Sequence, residues 1–166
     1  MTGRSLPLLL LLCAPALASD SPDLPRCWTG LCLGDTIEQV RRIYPPKRDW
    51  SSYREPGGEV VRIHVERAYA KAFPPGTETM RLGMSGGRLV HFQLIYDKDA
   101  SRRMPLDKLV VELSMSYGEP RRVGLRYFWE DGDTVLVARN AEVPSPDGKG
   151  SMLRASVELM DAGVSR

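Results

Sequence analysis

Hydrophobic positions recur with two different periods along this chain, and the switches between them mark its elements. Ile37, Val40 and Ile43 with Tyr44 fall on one stripe at helical spacing, and Pro45-Pro46 prevents continuation. A short helix of about 10 residues is predicted there, capped at Asp35 in the run Asp35-Thr36-Ile37-Glu38, with Glu38 reaching back. A polar, turn-rich connection through Gly57-Gly58 follows. Val61, Ile63 and Val65 then alternate with polar neighbours, as in a half-buried strand. Thr79 to Met84, a tight turn at Ser85-Gly86-Gly87 and a return strand from Arg88 to Tyr96 read as a hairpin. The return strand sends Val90, Phe92, Leu94 and Tyr96 to one face, and His91 and Gln93 to the other.

The same order then repeats. Pro105 suits a first helical position, and Leu106, Leu109, Val110, Leu113 and Tyr117 form one apolar face before Gly118 and Pro120 end the helix. Val123, Leu125, Tyr127 and Trp129 alternate inward, Asp131-Gly132 turns the chain, and Thr134 to Arg139 runs back. After a Pro/Gly/Asp loop at 144–150, Leu153, Ala155, Val157 and Leu159 face one way while Arg154, Ser156 and Glu158 face the other. The predicted fold is α+β: two tandem units, 34–100 and 101–161, each a helix plus a three-stranded antiparallel sheet. Residues 19–33 form a lead-in and 162–166 a tail.

Composition adds the compartment. Residues 1–18 combine Arg4, an apolar run to Leu12 and the small-residue site Ala16-Leu17-Ala18, which reads as a secretory signal peptide cleaved after Ala18. Its apolar stretch falls short of the roughly 20 residues that span a bilayer. No later segment is apolar enough to cross one, so a periplasmic or secreted protein is expected. Leu12 occupies the position before Cys13 where a lipoprotein signal has a small residue. Without Arg4, 22 of the 23 Lys and Arg residues face 21 carboxylates, a net charge of +1 that gives no footprint for nucleic acid. The remaining cysteines, Cys27 and Cys32, flank a turn with Gly30 and are expected to form a disulfide worth about 2 kcal/mol on the chain-entropy model. Zinc would need two more ligands, and the two histidines have no ligand spacing.

The run Leu31-Cys32-Leu33-Gly34-Asp35-Thr36-Ile37-Glu38-Gln39-Val40, with Tyr44-Pro45 after it, resembles the opening of bacterial BamE/SmpA-type outer-membrane assembly proteins. The pairing of two helix-plus-sheet units resembles the secreted β-lactamase inhibitory proteins. Both resemblances imply a non-catalytic role in which sheet faces or loops bind another protein, and neither carries over a functional residue.

The candidate chemistry agrees with a binding role. No nucleophile elbow, zinc-protease helix or phosphate loop is present, no cofactor is expected, and Glu130-Asp131-Gly132-Asp133 lacks the ligand pattern of a calcium loop. His64 and His91 fall on the polar faces of predicted strands and would share one surface if those strands were neighbours. Four cation pairs, Arg41-Arg42, Lys47-Arg48, Arg102-Arg103 and Arg121-Arg122, lie at or near helices, where they complement helix dipoles or form a patch for an acidic partner. Trp50 and Tyr53, in a connection, are either core plugs or interface anchors. The expected binding residues are therefore Trp50, Tyr53, Lys47, Arg48, Arg121 and Arg122. The expected function is an inhibitor, immunity-type protein or envelope adaptor; alternatives are a lipid-anchored outer-membrane assembly factor and a small periplasmic hydrolase or metal protein using the two histidines.

Overall fold

A computed structural model describes residues 23–54 and 56–163; the expected leader, its Cys13 and the last residues of the tail lie outside these. The chain begins with a small hairpin, β1 (Cys27–Trp28) and β2 (Leu31–Cys32), in which Cys27 and Cys32 stand directly opposite and are joined by a disulfide at a Cα separation of 4.0 Å. Helix α1 (Ile37–Ile43) follows. Its cap is Thr36, one residue later than expected: the Thr36 hydroxyl accepts from the Gln39 amide, and the Gln39 side chain accepts from the Thr36 amide at 2.8 Å. Asp35 instead accepts from the Cys32 amide at 2.8 Å, tying the hairpin to the helix start.

The strands are β3 (Ser51–Arg54), β4 (Val61–Glu66), β5 (Thr77–Ser85), β6 (Arg88–Tyr96), β7 (Arg121–Val123), β8 (Arg126–Glu130), β9 (Thr134–Pro144) and β10 (Ser151–Asp161). Helices α2 (Lys98–Arg103) and α3 (Leu106–Tyr117) join the two groups of four. All eight strands make one antiparallel sheet in the order β3-β4-β5-β6-β10-β9-β8-β7. This corrects the expectation of two helix-plus-three-stranded units. The last strand of each half, β6 and β10, pair with each other from Ile95 opposite Ser156 to His91 opposite Met160, so two meanders fuse into one sheet with no edges at the seam. Each half also has a fourth strand. β3 and β7 bury none of their residues and so show no inward apolar alternation. The stretch expected as one strand with Val123 and Leu125 pointing inward is a hairpin turned at Gly124, whose φ of 60° places it in the left-handed region. Val123 and Leu125 are exposed.

The helices lie on one side of this sheet. Leu109 and Leu113 of α3 and Val40 of α1 belong to one core cluster with Met80, Leu82, Phe92, Leu94, Leu136, Val157 and Leu159, which joins side chains from both halves. Phe92 is fully buried, and removing such a side chain from water is worth about 1.5–3 kcal/mol. α2 runs across residue 100, starting at Asp97, whose side chain accepts from the Ala100 amide at 2.8 Å. A register shift between Gly83 and Met84 puts Leu89 in the core and turns Val90 to the opposite face, the reverse of its expected direction.

Candidate functional site

Because strand side chains alternate, every residue that does not face the helices faces the other side of the sheet. Three neighbouring strands send Arg62 and His64 (β4), Arg81 and Gly83 (β5), and His91 and Gln93 (β6) to that side. Cross-strand register sets them in rows, Ser51-His64-Arg81-Gln93-Glu158 and Tyr53-Arg62-Gly83-His91-Met160. They surround a cleft of about 470 Å³ lined from Tyr53 on β3 to Arg139 on β9. The cleft is reached from six adjacent strands, β3, β4, β5, β6, β10 and β9. No helix covers it among the described residues.

The floor is a bonded polar network. Glu158, 8% exposed, accepts from the Arg139 guanidinium, and its other oxygen lies 3.4 Å from His91 Nε2. Gln93 donates to Ser156 Oγ at 3.1 Å, Ser156 donates to the Arg139 carbonyl at 3.0 Å, and Arg81 donates to Gln93 Oε1 at 3.4 Å. Burial pushes the Glu158 carboxyl up, but the His91 hydrogen bond and the Arg139 charge outweigh it and hold the group below the usual carboxylate range. His64 is likewise held below the usual imidazole range. Burial lowers its pKa first and repulsion from Arg81 second, against a weaker pull from Glu66, 4.0 Å away. A Cβ at Gly83 would be tight, 3.1 Å from Val60 Cγ1 and 3.2 Å from His91 Cβ, so those neighbours would have to yield by a few tenths of an ångström.

The two histidines share this surface although their strands are not neighbours: β5 lies between β4 and β6, and the two residues are offset by one row. Among the described residues no group of His, Cys, Asp and Glu is arranged to hold a metal ion. Tyr53 stands at the cleft rim, 57% exposed. Trp50, 6% exposed, is packed in the core with its indole donating to the Tyr69 carbonyl at 3.3 Å. Lys47 is exposed, and the Arg48 guanidinium sits 3.3 Å from the centre of the Tyr69 ring. Arg121 binds Glu130 at 2.7 Å and lies over Phe128, while Arg122 lies over Tyr127 and donates to the Gly124 carbonyl. Lys47-Arg48 just precedes β3 and Arg121-Arg122 lies in β7, the opposite edge strand. Seven strand spacings, roughly 30 Å measured along the sheet, separate those edges.

Arg81, Gln93, Arg139 and Glu158 are the site residues that sequence reasoning did not single out. Their signal was present as polar side chains in the middle of long strands; Arg81, Gln93 and Glu158 stand in one register row, and Arg139 stands opposite Ser156 on the next. No family model, curated protein or solved structure matches this chain.

Proposed function

We propose that this chain is an exported, non-catalytic binding module that takes another protein on the open face of its sheet. The observation that carries the reading is one-sidedness: an eight-stranded sheet is covered by helices on one face only, and the other holds a cleft whose fixed polar groups lie between two small apolar clusters, Ile95-Ala141-Val143 and Val135-Val137-Ala162. Tyrosine is among the side-chain types enriched where interfaces are anchored, and Tyr53 stands exposed beside this cleft. The Cys27–Cys32 disulfide suits an oxidising compartment, and no described helix is long and apolar enough to cross a membrane. The Glu158 charge is satisfied by Arg139 and His91, which fits a rigid recognition surface.

The test is capture from the native envelope and extracellular fractions by tagged protein, Tyr53→Ala and Met115→Ala. Met115 is 84% exposed on α3, away from the open face. One protein should be retained at fixed stoichiometry, lost with Tyr53→Ala and kept with Met115→Ala. Loss with Met115→Ala alone would overturn the reading. One observation favours a second reading: the His91–Glu158 contact in a cleft is a geometry a general base could use. Under that reading a His64→Ala, His91→Ala double variant loses turnover while keeping its fold; under the first it has no turnover to lose.

A further inference from the structure

We propose that the cleft beneath Tyr53 is a carboxylate site, in which Arg81 and His64 receive an aspartate or glutamate side chain from an acidic segment of the partner protein. The inference rests on the docking of a protein to this face and names the chemistry that face selects. Arg81 sits mid-strand on β5, opposite His64 on one side and Gln93 on the other, inside the cleft rather than at its edge. Its guanidinium donates to the Gln93 amide at 3.4 Å, and among the described residues it has no carboxylate within 4.0 Å. The cleft's acidic group, Glu158, is already engaged by Arg139 and His91. Glu66, 4.0 Å from His64 Nε2, is half-exposed and pairs with the imidazole alone, so the Arg81 guanidinium is the cleft cation the proposed carboxylate would meet first.

A guanidinium in a protein cleft is less well hydrated than one in open water, and an anion delivered to it gains from the reduced local dielectric. Arg81 also repels a proton from His64, so an anion seated between them is favoured twice: it pairs with Arg81 and allows His64 to ionise. The cleft volume admits one or two side chains, and Tyr53, Val60 and Met160 supply apolar contact beside the cations. An extended polyanion is a poorer fit, because the whole chain is nearly neutral and the cations are enclosed rather than laid out in a stripe.

The experiment follows the His64 imidazole by NMR as a function of pH. The probes are a capped Gly-Glu-Asp-Glu-Gly peptide, its Gln/Asn counterpart and inorganic phosphate. The acidic peptide is expected to raise the His64 pKa saturably at millimolar to submillimolar concentration, on the order of what one or two ion pairs supply. The neutral peptide should leave it unchanged. Arg81→Gln should weaken the response about tenfold or more, and Arg81→Lys should keep most of it. No response to the acidic peptide, or an equal response in Arg81→Gln, would overturn the assignment. Phosphate matching the peptide at equal concentration would also overturn it, in favour of a small-anion site. If Arg81→Gln captures the native partner as well as the unmodified protein does while Tyr53→Ala does not, the carboxylate site fails and docking to this face stands. If Tyr53→Ala captures it normally, the docking reading itself fails.

Discussion

The two faces of the sheet are made from the same strands and do different work. On the covered face Leu82, Phe92, Leu94, Leu136 and Leu159 are almost completely buried in one cluster beneath the helices. On the open face the intervening residues of those strands include Arg81, His91, Gln93, Arg139 and Glu158, in a network reaching from β5 to β9. Residues one position apart therefore differ in what they contribute: the first set supplies hydrophobic stability, while the second orders charge around a cleft. Buried polar groups of the second kind cost desolvation unless every partner is present, and here Glu158 and Gln93 both have theirs. A sheet that needed only to fold would not require them.

Substitutions along one strand pair should separate the two roles. The largest expected effect is from Phe92→Ala, which leaves a cavity in the covered face and should lower unfolding free energy by about 3–5 kcal/mol in a denaturant titration. Its neighbour in register across the seam is Leu159, while the open-face residue next along the chain is Gln93. Glu158→Gln comes second. It leaves Arg139 and His91 without their carboxylate and should cost about 2–3 kcal/mol at neutral pH. The Glu158 pKa is held down in the folded state, so its contribution is present above the ordinary carboxylate range and is lost as pH falls through the folded-state value. The gap between the two proteins should therefore close on acidification, and a gap that widens would contradict the network. Cys27→Ser with Cys32→Ser is expected to cost about 2 kcal/mol or less, because the ring closes only a short segment, and to leave the cleft unchanged. Smallest is Arg81→Gln, expected to alter stability by no more than about 0.5 kcal/mol in the same titration. A large loss from Arg81→Gln would make that residue structural and erase the distinction between the faces.

Much of the covered face was legible in the chain and little of the open one. Burial leaves a period, so Val61-Ile63-Val65, Phe92-Leu94 and the Leu109–Leu113 stripe of α3 announce their elements. β3 and β7 bury nothing and leave no period to read, so the sequence of the first resembles a polar connection and that of the second the start of a longer strand. α2 has no buried residue either; its one sign was Asp97 at the cap. The pairing of β6 with β10 is invisible locally, since both strands carry the same inward alternation and nothing in either names its neighbour. For the site, Tyr53 and the two histidines stood out as residue types. Arg81 and Glu158 looked like ordinary solvent-facing positions, and only the register that sets them beside His64 and His91 gives them a role.

The most direct test of the division between the faces places a photo-crosslinking side chain at Tyr53, on the cleft rim, and separately at Met115, on the helix side. Irradiation in the native extracellular or envelope fraction should join a single protein to the Tyr53 variant and none to the Met115 variant. A crosslink from Met115 with nothing at Tyr53 would contradict the account and assign recognition to the helices.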